Sequence, residues 1–255
     1  MMLLAVSCTS EKKVKDYGAK VTDSISGQEF NDIEASSVFE ITLHKSDSCY
    51  VRLEIAEKLK DKVKAEVTDG KLLLDIEDIK EDESFFDNKK AEVSVYMPSF
   101  DNIKLKRACS LSLADTFKVA EAAIEMDEAS SFKGNIIAGR LNVEISDASS
   151  FKASLYADTL NMNVARACEV DLSSIDDRTG KMFNAEVSKA SEFDASKLAF
   201  EYICITGSAA SNISVNPVKN IKADIKSASV LEYNAGSKNL VKDIKTSGMS
   251  QVEEI

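Results

Sequence analysis

The chain has 255 residues with 32 basic and 43 acidic side chains, so its formal net charge at pH 7 is −11. An acidic surface repels a phosphate backbone, and we therefore expect no nucleic-acid partner. Hydrophobic residues make up 44% of the chain, which is enough for a substantial core. No apolar run reaches the roughly 18 to 20 residues of a membrane-spanning helix, so the composition predicts a folded, soluble body.

The first ten residues, MMLLAVSCTS, resemble the end of a bacterial lipoprotein signal, with Ala, Val and Ser directly before Cys8. In this interpretation residues 1–8 form a lipoprotein-type leader that is cleaved directly before Cys8, Cys8 carries the lipid, and residues 9–24 form a flexible tether. The basic n-region is missing and the apolar stretch is short, so we expect the true translation start to lie upstream. An ordinary cysteine in a frayed N-terminus is the alternative.

One ten-residue phrase occurs twice, as EMDEASSFKG at 125–134 and as EISDASSFKA at 144–153. Altered copies of the phrase recur to the end of the chain with a mean period of about 20 residues, which indicates a solenoid. Each copy has Ser or Cys at a position that we number zero. These residues are Cys109, Ser130, Ser149, Cys168, Ser191, Ser211, Ser229 and Ser250.

The residue types around position zero indicate how one repeat folds. Position −1 is Ala in seven of the eight copies, and position +2 is always apolar, as in Phe132 and Phe151. Apolar and polar residues alternate upstream, as in residues 141–145, which predicts a strand with one face in a core. The pattern therefore predicts that each repeat consists of a strand, a tight corner of small residues, a second strand and a looser turn such as residues 138–140.

Stacked parallel coils explain why the corner chemistry keeps the same phase in every repeat, which an antiparallel meander would not require. Coils about 4.8 Å apart place like residues above like. We therefore predict an all-β fold, a parallel β-helix expected to be right-handed, with about eight coils over residues 103–255. Residues 25–102 are strand-like without the phrase, and we expect them to continue or cap the solenoid.

Two local elements are predicted in the N-terminal part. Residues 63–67 and 72–76 flank Asp69-Gly70, a pair typical of the turn of a β-hairpin. Residues 54–62 fit a helical turn. Both elements depart from the solenoid pattern, which supports a different role for this part of the chain.

Two corners have an unusual spacing between apolar residues. Eight positions lead from Ile205 to Ile213 and from Ile244 to Val252, whereas six positions lead from Ile145 to Phe151. We interpret the longer spacing as a two-residue bulge at each of these corners.

The register of the stacked coils also predicts which surface residues are neighbours, because residues at the same repeat position lie above one another. Position −2 forms a column of charged residues that is a candidate surface ladder, made of Arg107, Glu128, Asp147, Arg166 and Lys189. Opposite charges should meet between its first and second coils and between its third and fourth. A second column, at position +3, contains Lys133, Lys152, Asp171 and Asp194. Exposed ion pairs on a solvated face are the simplest interpretation of both columns.

A catalytic alternative depends on Glu128 and Asp147, whose carboxylates would lie about one strand spacing apart, as in retaining glycosidases. Arg107 and Arg166 flank them and would keep both ionised, which argues against acid catalysis. His44 is the only histidine and has no cysteine or carboxylate at ligand spacing. We therefore expect no metal site, no histidine-activated nucleophile, no cofactor and no enzymatic activity.

The cysteine positions restrict disulfide formation. Cys109 and Cys168 share a column three coils apart, or about 14 Å, whereas a disulfide requires Cα atoms within about 7 Å. These two cysteines therefore cannot pair. If Cys8 carries a lipid, Cys49 and Cys204 remain, and the sequence does not place them together or apart.

The sequence YMPSFDNIKL at residues 96–105 leads into the first corner. Together with the repeated small-residue corners and the hairpin sequence at 67–72, it resembles the auto-transporter adhesin head GIN domain family of Gram-negative envelopes. The resemblance covers residues 28–255 and implies a parallel β-helix without catalytic residues. The family's corners are Gly-Ser-Gly, whereas this chain has Ala there, and Ala resists the positive φ that Gly accepts.

These features favour a non-enzymatic cell-envelope lipoprotein that acts as an adhesin or surface binding scaffold. The lipid on Cys8 would anchor it to the outer membrane, on the periplasmic face or at the cell surface, and a glycan or protein ligand would bind the solenoid flank. Two alternatives remain open. One is a polysaccharide-binding or polysaccharide-active β-helix protein, and the other is a structural spacer or assembly module.

Overall fold

A computed structural model of the chain describes residues 18–76, 91–234 and 239–255. Strands account for 73% of the described residues and helix for 3%, and the strands form a β-solenoid of about seven turns, close to the eight coils predicted. The predicted all-β fold is therefore confirmed. Its elements are β1 (Lys20–Ser26), β2 (Asp32–Ser36), β3 (Phe39–Lys45), β4 (Tyr50–Ala56), a 3₁₀ helix (Glu57–Lys62), β5 (Val63–Thr68), β6 (Lys71–Ile76), β7 (Ala91–Met97), β8 (Asn102–Lys106), β9 (Ser110–Met126), β10 (Ser131–Ser146), β11 (Ser150–Ala165), β12 (Glu169–Ser174), β13 (Gly180–Ser188), β14 (Glu192–Ser208), β15 (Asn212–Lys226), β16 (Val230–Tyr233), β17 (Val241–Ser247) and β18 (Gln251–Glu254).

The coils stack in parallel register, as the repeat predicts. In the pairing of β10 with β11, Phe132 lies opposite Phe151 and Leu141 opposite Leu160. The rings of Phe132 and Phe151 stack with their centroids 4.9 Å apart, and both side chains are buried. Position +2 is therefore a core column, and residues nineteen apart in the chain are neighbours in space.

The looser turn expected in each coil is not a separate element in β10 and β11, because each strand runs through it. Inward and outward residues alternate along these strands except at residues 139–140 and 158–159, where two consecutive residues lie outside the core. Each such strand bends there and contributes to two walls. We call the part before the bend the post-corner wall and the part after it the pre-corner wall.

The corners use a backbone conformation that L-residues rarely adopt. Positions −2 and −1 both have positive φ, for example 53° at Asp147 and 59° at Ala148. The corners thus adopt positive φ although seven of the eight have Ala at position −1. Each such residue costs roughly 1 to 2 kcal/mol. Hydrogen bonds between coils offset this cost, as from Ala129 N to the Asp147 carbonyl over 2.8 Å and from Ala148 N to the Arg166 carbonyl over 2.9 Å.

The small polar residue at position zero forms hydrogen bonds with buried backbone groups of the corner. In Ser191, which is 2% exposed, Oγ donates to the carbonyl of Ser188 over 2.8 Å. The same oxygen accepts a hydrogen bond from Cys168 N over 3.3 Å. One hydroxyl thus satisfies a carbonyl in its own coil and an N–H group in the coil before it, which explains why position zero is Ser or Cys rather than an apolar residue.

The two bulges predicted from the eight-residue spacing are wrong. Gly207 occupies the inward position opposite Val187 and Ile225, so only six positions separate it from Ile213. A Cβ atom at Gly207 would lie 2.6 Å from Cδ1 of Ile213, so the neighbouring side chain takes the space. In the next such corner Thr246 pairs with Ile225 and restores the regular spacing.

The additional residues of the longer repeats lie away from the corners, either within strands or in the loop between β12 and β13. The register between β9 and β10 shifts where residues 113–115 of β9 lie opposite the single residue Gly134. A second shift between β14 and β15 accommodates residues 196–198. Sequence spacing between corners reports the total length of a coil and does not show where its extra residues are placed.

The N-terminal strands extend both walls and end in antiparallel pairs. On one wall β3 pairs in parallel with β9 and β7, and β4 and β1 follow in antiparallel order. On the other, β2 pairs with β8 and β6. The predicted hairpin is present as β5 and β6, with positive φ at both Asp69 and Gly70. The helical turn is a 3₁₀ helix that begins at Glu57, later than the predicted residue 54.

Candidate ligand-binding surface

The charged column at position −2 lies on the outside of consecutive corners. Its five residues, Arg107, Glu128, Asp147, Arg166 and Lys189, all have positive φ. Nη2 of Arg166 donates to Oδ2 of Asp147 over 2.7 Å, which is the ion pair expected between the third and fourth coils. Arg107 does not form the expected pair with Glu128. It donates to Asp75 over 2.9 Å and to Ser36 over 2.7 Å, because β2 and β6 of the N-terminal part lie beside its corner.

The electrostatics of this column argue against the carboxylate pair as a catalytic dyad. The hydrogen bond from Arg166 holds the pKa of the Asp147 carboxyl below its usual range. A general acid of a glycosidase requires a raised pKa. In addition, the neighbouring carboxyl that interacts with Asp147 is Asp127 and not Glu128.

The post-corner wall has a groove of about 590 Å³ that crosses β9, β10, β11 and β12. One side is formed by the column at position +3, namely Ser112, Lys133, Lys152 and Asp171, which the register aligns. Asn135, Ser154 and Ser173 form the other side, and the small residues Gly134 and Ala153 form much of the floor. The groove therefore runs along the solenoid axis, across the strands.

The polar side chains of this groove differ in how they are held. The hydroxyls of Ser154 and Ser173 are 2.8 Å apart and hydrogen-bond across two coils. Nζ of Lys152 lies 2.7 Å from Oε1 of Glu169. No ion pair of Lys133 or Asp171 is found among the described residues. One side of the groove thus presents charge and the other presents hydroxyl and amide groups.

A ladder of asparagines lies on the pre-corner wall, and sequence reasoning missed it. Nδ2 of Asn161 donates to Oδ1 of Asn142, and Nδ2 of Asn184 donates to Oδ1 of Asn161, each over 2.8 Å. The next residue of the column is Cys204. The ladder could have been predicted from the sequence, because aligning the repeats by their corners also aligns these three asparagines.

A family model described as "Putative auto-transporter adhesin, head GIN domain" matches residues 29–236. The chain belongs to this family. The match confirms the resemblance read from the corners and from residues 96–105. The family's description supports an adhesin-like, non-enzymatic role at the cell surface or envelope. No curated protein matches the chain.

Solved structures share the fold of this head GIN domain. A "putative adhesin" from Parabacteroides distasonis ATCC 8503 is 18% identical with a TM-score of 0.84, and the match covers 95% of this chain and 99% of that one. A "putative lipid binding protein" from the same strain is 17% identical with a TM-score of 0.81, over 93% and 97% of the two chains. A "putative adhesin" from Parabacteroides merdae ATCC 43184 gives the same four values. At these identities the likeness shows the fold alone.

One loop of the head GIN domain projects from the regular flank, between β12 and β13. The guanidinium of Arg178 in this loop lies 3.7 Å from the centroid of the Tyr156 ring and pairs with Asp176 over 2.6 Å. The Tyr156 hydroxyl donates to Asp158 over 2.8 Å, which raises the pKa of Tyr156 and lowers that of Asp158. Repeat reasoning did not find this cluster, because Asp176 and Arg178 lie in a loop that interrupts the repeat.

His44 and three of the four described cysteines pack against other residues of the structure. His44 stacks on Tyr96 with ring centroids 4.7 Å apart. No group of three potential metal ligands occurs in the described part of the chain. The thiols of Cys49, Cys109, Cys168 and Cys204 are all free, and only that of Cys204 is exposed. Burial raises the pKa of Cys109 to about 11.

The proposed lipid attachment residue, Cys8, lies outside the described residues, as do the leader and most of the expected tether. Within residues 18–76, 91–234 and 239–255, no helix is both long and apolar enough to cross a membrane.

Proposed function

We propose that the chain is a non-enzymatic envelope lipoprotein that acts as an adhesin or surface binding scaffold, with the post-corner groove as its ligand-binding surface. One observation carries this proposal. The groove crosses four stacked coils and presents side chains at the same phase in each of them. An extended ligand fits such a surface better than a compact one, because it can contact side chains of all four coils along its length.

Attachment to the outer membrane through lipid on Cys8 is the second part of the proposal. The small residues before Cys8 and the family's adhesin-like description support it. Metabolic labelling with palmitate should mark the full-length protein, and Cys8→Ala should release it into the soluble fraction. An unlabelled wild-type protein, or a Cys8→Ala protein that stays with the membrane, would refute the anchor.

Binding without turnover distinguishes an adhesin from a polysaccharide-active enzyme. Beads coated with the protein should be retained on surfaces bearing either glycans or proteins, and no glycan fragments should appear in the supernatant. Fragments that disappear in a Glu128→Gln, Asp147→Asn double variant would show an enzyme instead. Beads that are retained on neither class of surface would refute the binding function.

Light scattering distinguishes the proposed binding protein from a structural spacer or assembly module. We expect a soluble Cys8→Ser chain to keep the same mass over a hundredfold dilution. Open-ended growth with concentration would favour the assembly module.

A further inference from the structure

We infer that the post-corner groove binds an extended, carboxylated glycan whose chain follows the solenoid axis. This inference rests on the proposed function, because it names the ligand of the same surface. Three features of the groove support this inference. It has a pair of stacked lysines on one side, hydroxyl and amide groups on the other, and underlying strands whose backbone groups are already hydrogen-bonded.

The stacked lysines provide the charge selectivity. Lys133 and Lys152 are direct register partners in β10 and β11, so their Cα atoms are about 4.8 Å apart. Like charges directly opposite one another in a sheet repel. Glu169 forms an ion pair with Lys152, and Asp171, the register partner of Lys152 in β12, attracts the same ammonium group. No described residue forms an ion pair with Lys133. A carboxylate above the two ammonium groups would remove the repulsion and complete the pairing.

The opposite side of the groove has the groups that bind sugar hydroxyls. The hydroxyls of Ser154 and Ser173 bond to each other, and each keeps a free lone pair for a further donor. The exposed amide of Asn135 both donates and accepts. Asp171, at the end of the lysine column, accepts from hydroxyl donors. These groups suit a polyhydroxylated ligand that carries a negative charge on one edge.

The backbone hydrogen bonding of the post-corner wall favours a glycan over an acidic peptide as the ligand. Strand β10 pairs with β9 on one side and with β11 on the other, and β11 pairs in turn with β12. No sheet edge is therefore available in the groove for a peptide to add as a strand. The floor at Gly134 and Ala153 offers no pocket for peptide side chains, because the space beneath Gly134 is filled by Leu113.

The length and direction of the groove favour a linear ligand. Position +3 contributes one side chain from each of four consecutive coils, which spans three strand spacings, or about 14 Å. The side chains change in chemical type along this direction, from a hydroxyl at Ser112 through ammonium groups at Lys133 and Lys152 to a carboxylate at Asp171. A polymer lying along the axis meets these groups in succession.

Calorimetric titration of the full-length chain carrying Cys8→Ser tests the inference with three probes. These are an oligogalacturonate, the same oligomer as its methyl ester, and poly-L-glutamate. We expect the oligogalacturonate to bind about tenfold or more tightly than the ester, since the ester keeps the hydroxyls and loses the charge. Added salt should weaken binding of the acid form.

Substitutions assign the binding to the groove. Lys133→Ala and Lys152→Ala should each weaken oligogalacturonate binding about tenfold, whereas Asn135→Ala should weaken the acid and the ester alike. Lys222→Ala is the matched control, because Lys222 is an exposed lysine on the pre-corner wall. It should leave binding unchanged. All four side chains are exposed, and unchanged melting temperatures will show that the variants fold.

Four results would overturn the inference: no binding of oligogalacturonate, equal binding of the ester, equally tight binding of poly-L-glutamate, or equal losses in Lys222→Ala and Lys133→Ala. The proposed function fails separately. If coated beads are retained on protein surfaces while oligogalacturonate does not bind, the adhesin proposal stands and the glycan inference falls.

Discussion

Asp147 and Arg166 occupy the same corner position in consecutive coils, and Nη2 of Arg166 donates a 2.7 Å hydrogen bond to Oδ2 of Asp147. The two residues are nineteen positions apart in the chain. They meet only because the coils are stacked in register. Titration of the Asp147 carboxyl therefore tests whether these two coils are stacked in register.

Replacing Arg166 should raise the pKa of Asp147. The arginine lowers this pKa in the folded protein, so the pair stabilises the fold at pH values above the unfolded-state pKa of about 3.9. That contribution is lost as the pH falls through the lower, folded-state pKa. A carbon-13 NMR titration of the carboxyl should give a midpoint below the usual Asp range, and Arg166→Gln should move it upward. Lys189→Gln, one coil further from Asp147, is the control, and equal midpoints in wild type and Arg166→Gln would contradict the account.

Glycine at a corner should stabilise the protein. Ala148 has a φ of 59°, which is strained for Ala and free for Gly, so Ala148→Gly should add about 0.5 to 1 kcal/mol to the free energy of unfolding. Ala157→Gly is the matched control, since Ala157 is 1% exposed within β11. That change should destabilise by about 1 to 2 kcal/mol. Denaturant titration measures both, and a loss of stability in Ala148→Gly would count against the corner strain.

The hydroxyl of Ser191 should matter more than its size suggests. Ser191→Ala leaves the Ser188 carbonyl and the Cys168 N–H without their partner, and we expect a loss of about 1 to 3 kcal/mol in the free energy of unfolding. Ser191→Cys should lose less, because Cys serves at position zero in two other coils. Denaturation midpoints of the two variants should therefore differ, and equal losses would show that the hydrogen bonds contribute little.

Thiol reactivity should separate the exposed cysteine from the buried ones. Cys204 is exposed, whereas burial raises the pKa values of Cys49, Cys109 and Cys168, the second to about 11. Because the thiolate is the reacting form, iodoacetamide at pH 8 should label Cys204 in a native Cys8→Ser chain, and Cys49, Cys109 and Cys168 only after unfolding. Peptide mass mapping reads this directly. Native labelling of Cys109 would contradict the proposed burial of position zero.

The repeat allowed the architecture to be predicted because a solenoid converts chain spacing into spatial contact. Phe132 and Phe151 stack as expected, and the +3 column aligns from Lys133 to Asp194. The hairpin at Asp69-Gly70 was also predictable, since its turn depends on two adjacent residues.

The sequence did not predict the contacts that form where the repeat is interrupted or altered. Arg107 pairs with Asp75 because N-terminal strands without the phrase lie beside its corner. The bulges expected after Ile205 and Ile244 are missing because Gly207 and Thr246 occupy inward positions that the hydrophobic pattern skipped. The groove itself was not foreseen, since its depth depends on small residues such as Gly134 between the two rows of outward side chains.

The register of the coils is the claim on which the groove and its ligand depend, and pyrene excimer fluorescence tests it most directly. Lys133→Cys with Lys152→Cys, in a chain where Cys8 and Cys204 are replaced by Ser, places two labels about 4.8 Å apart in adjacent strands. We predict strong excimer emission that does not change with protein concentration. Lys133→Cys with Lys222→Cys should show monomer emission alone. Monomer emission from the fully labelled 133/152 pair would contradict the parallel, in-register stack.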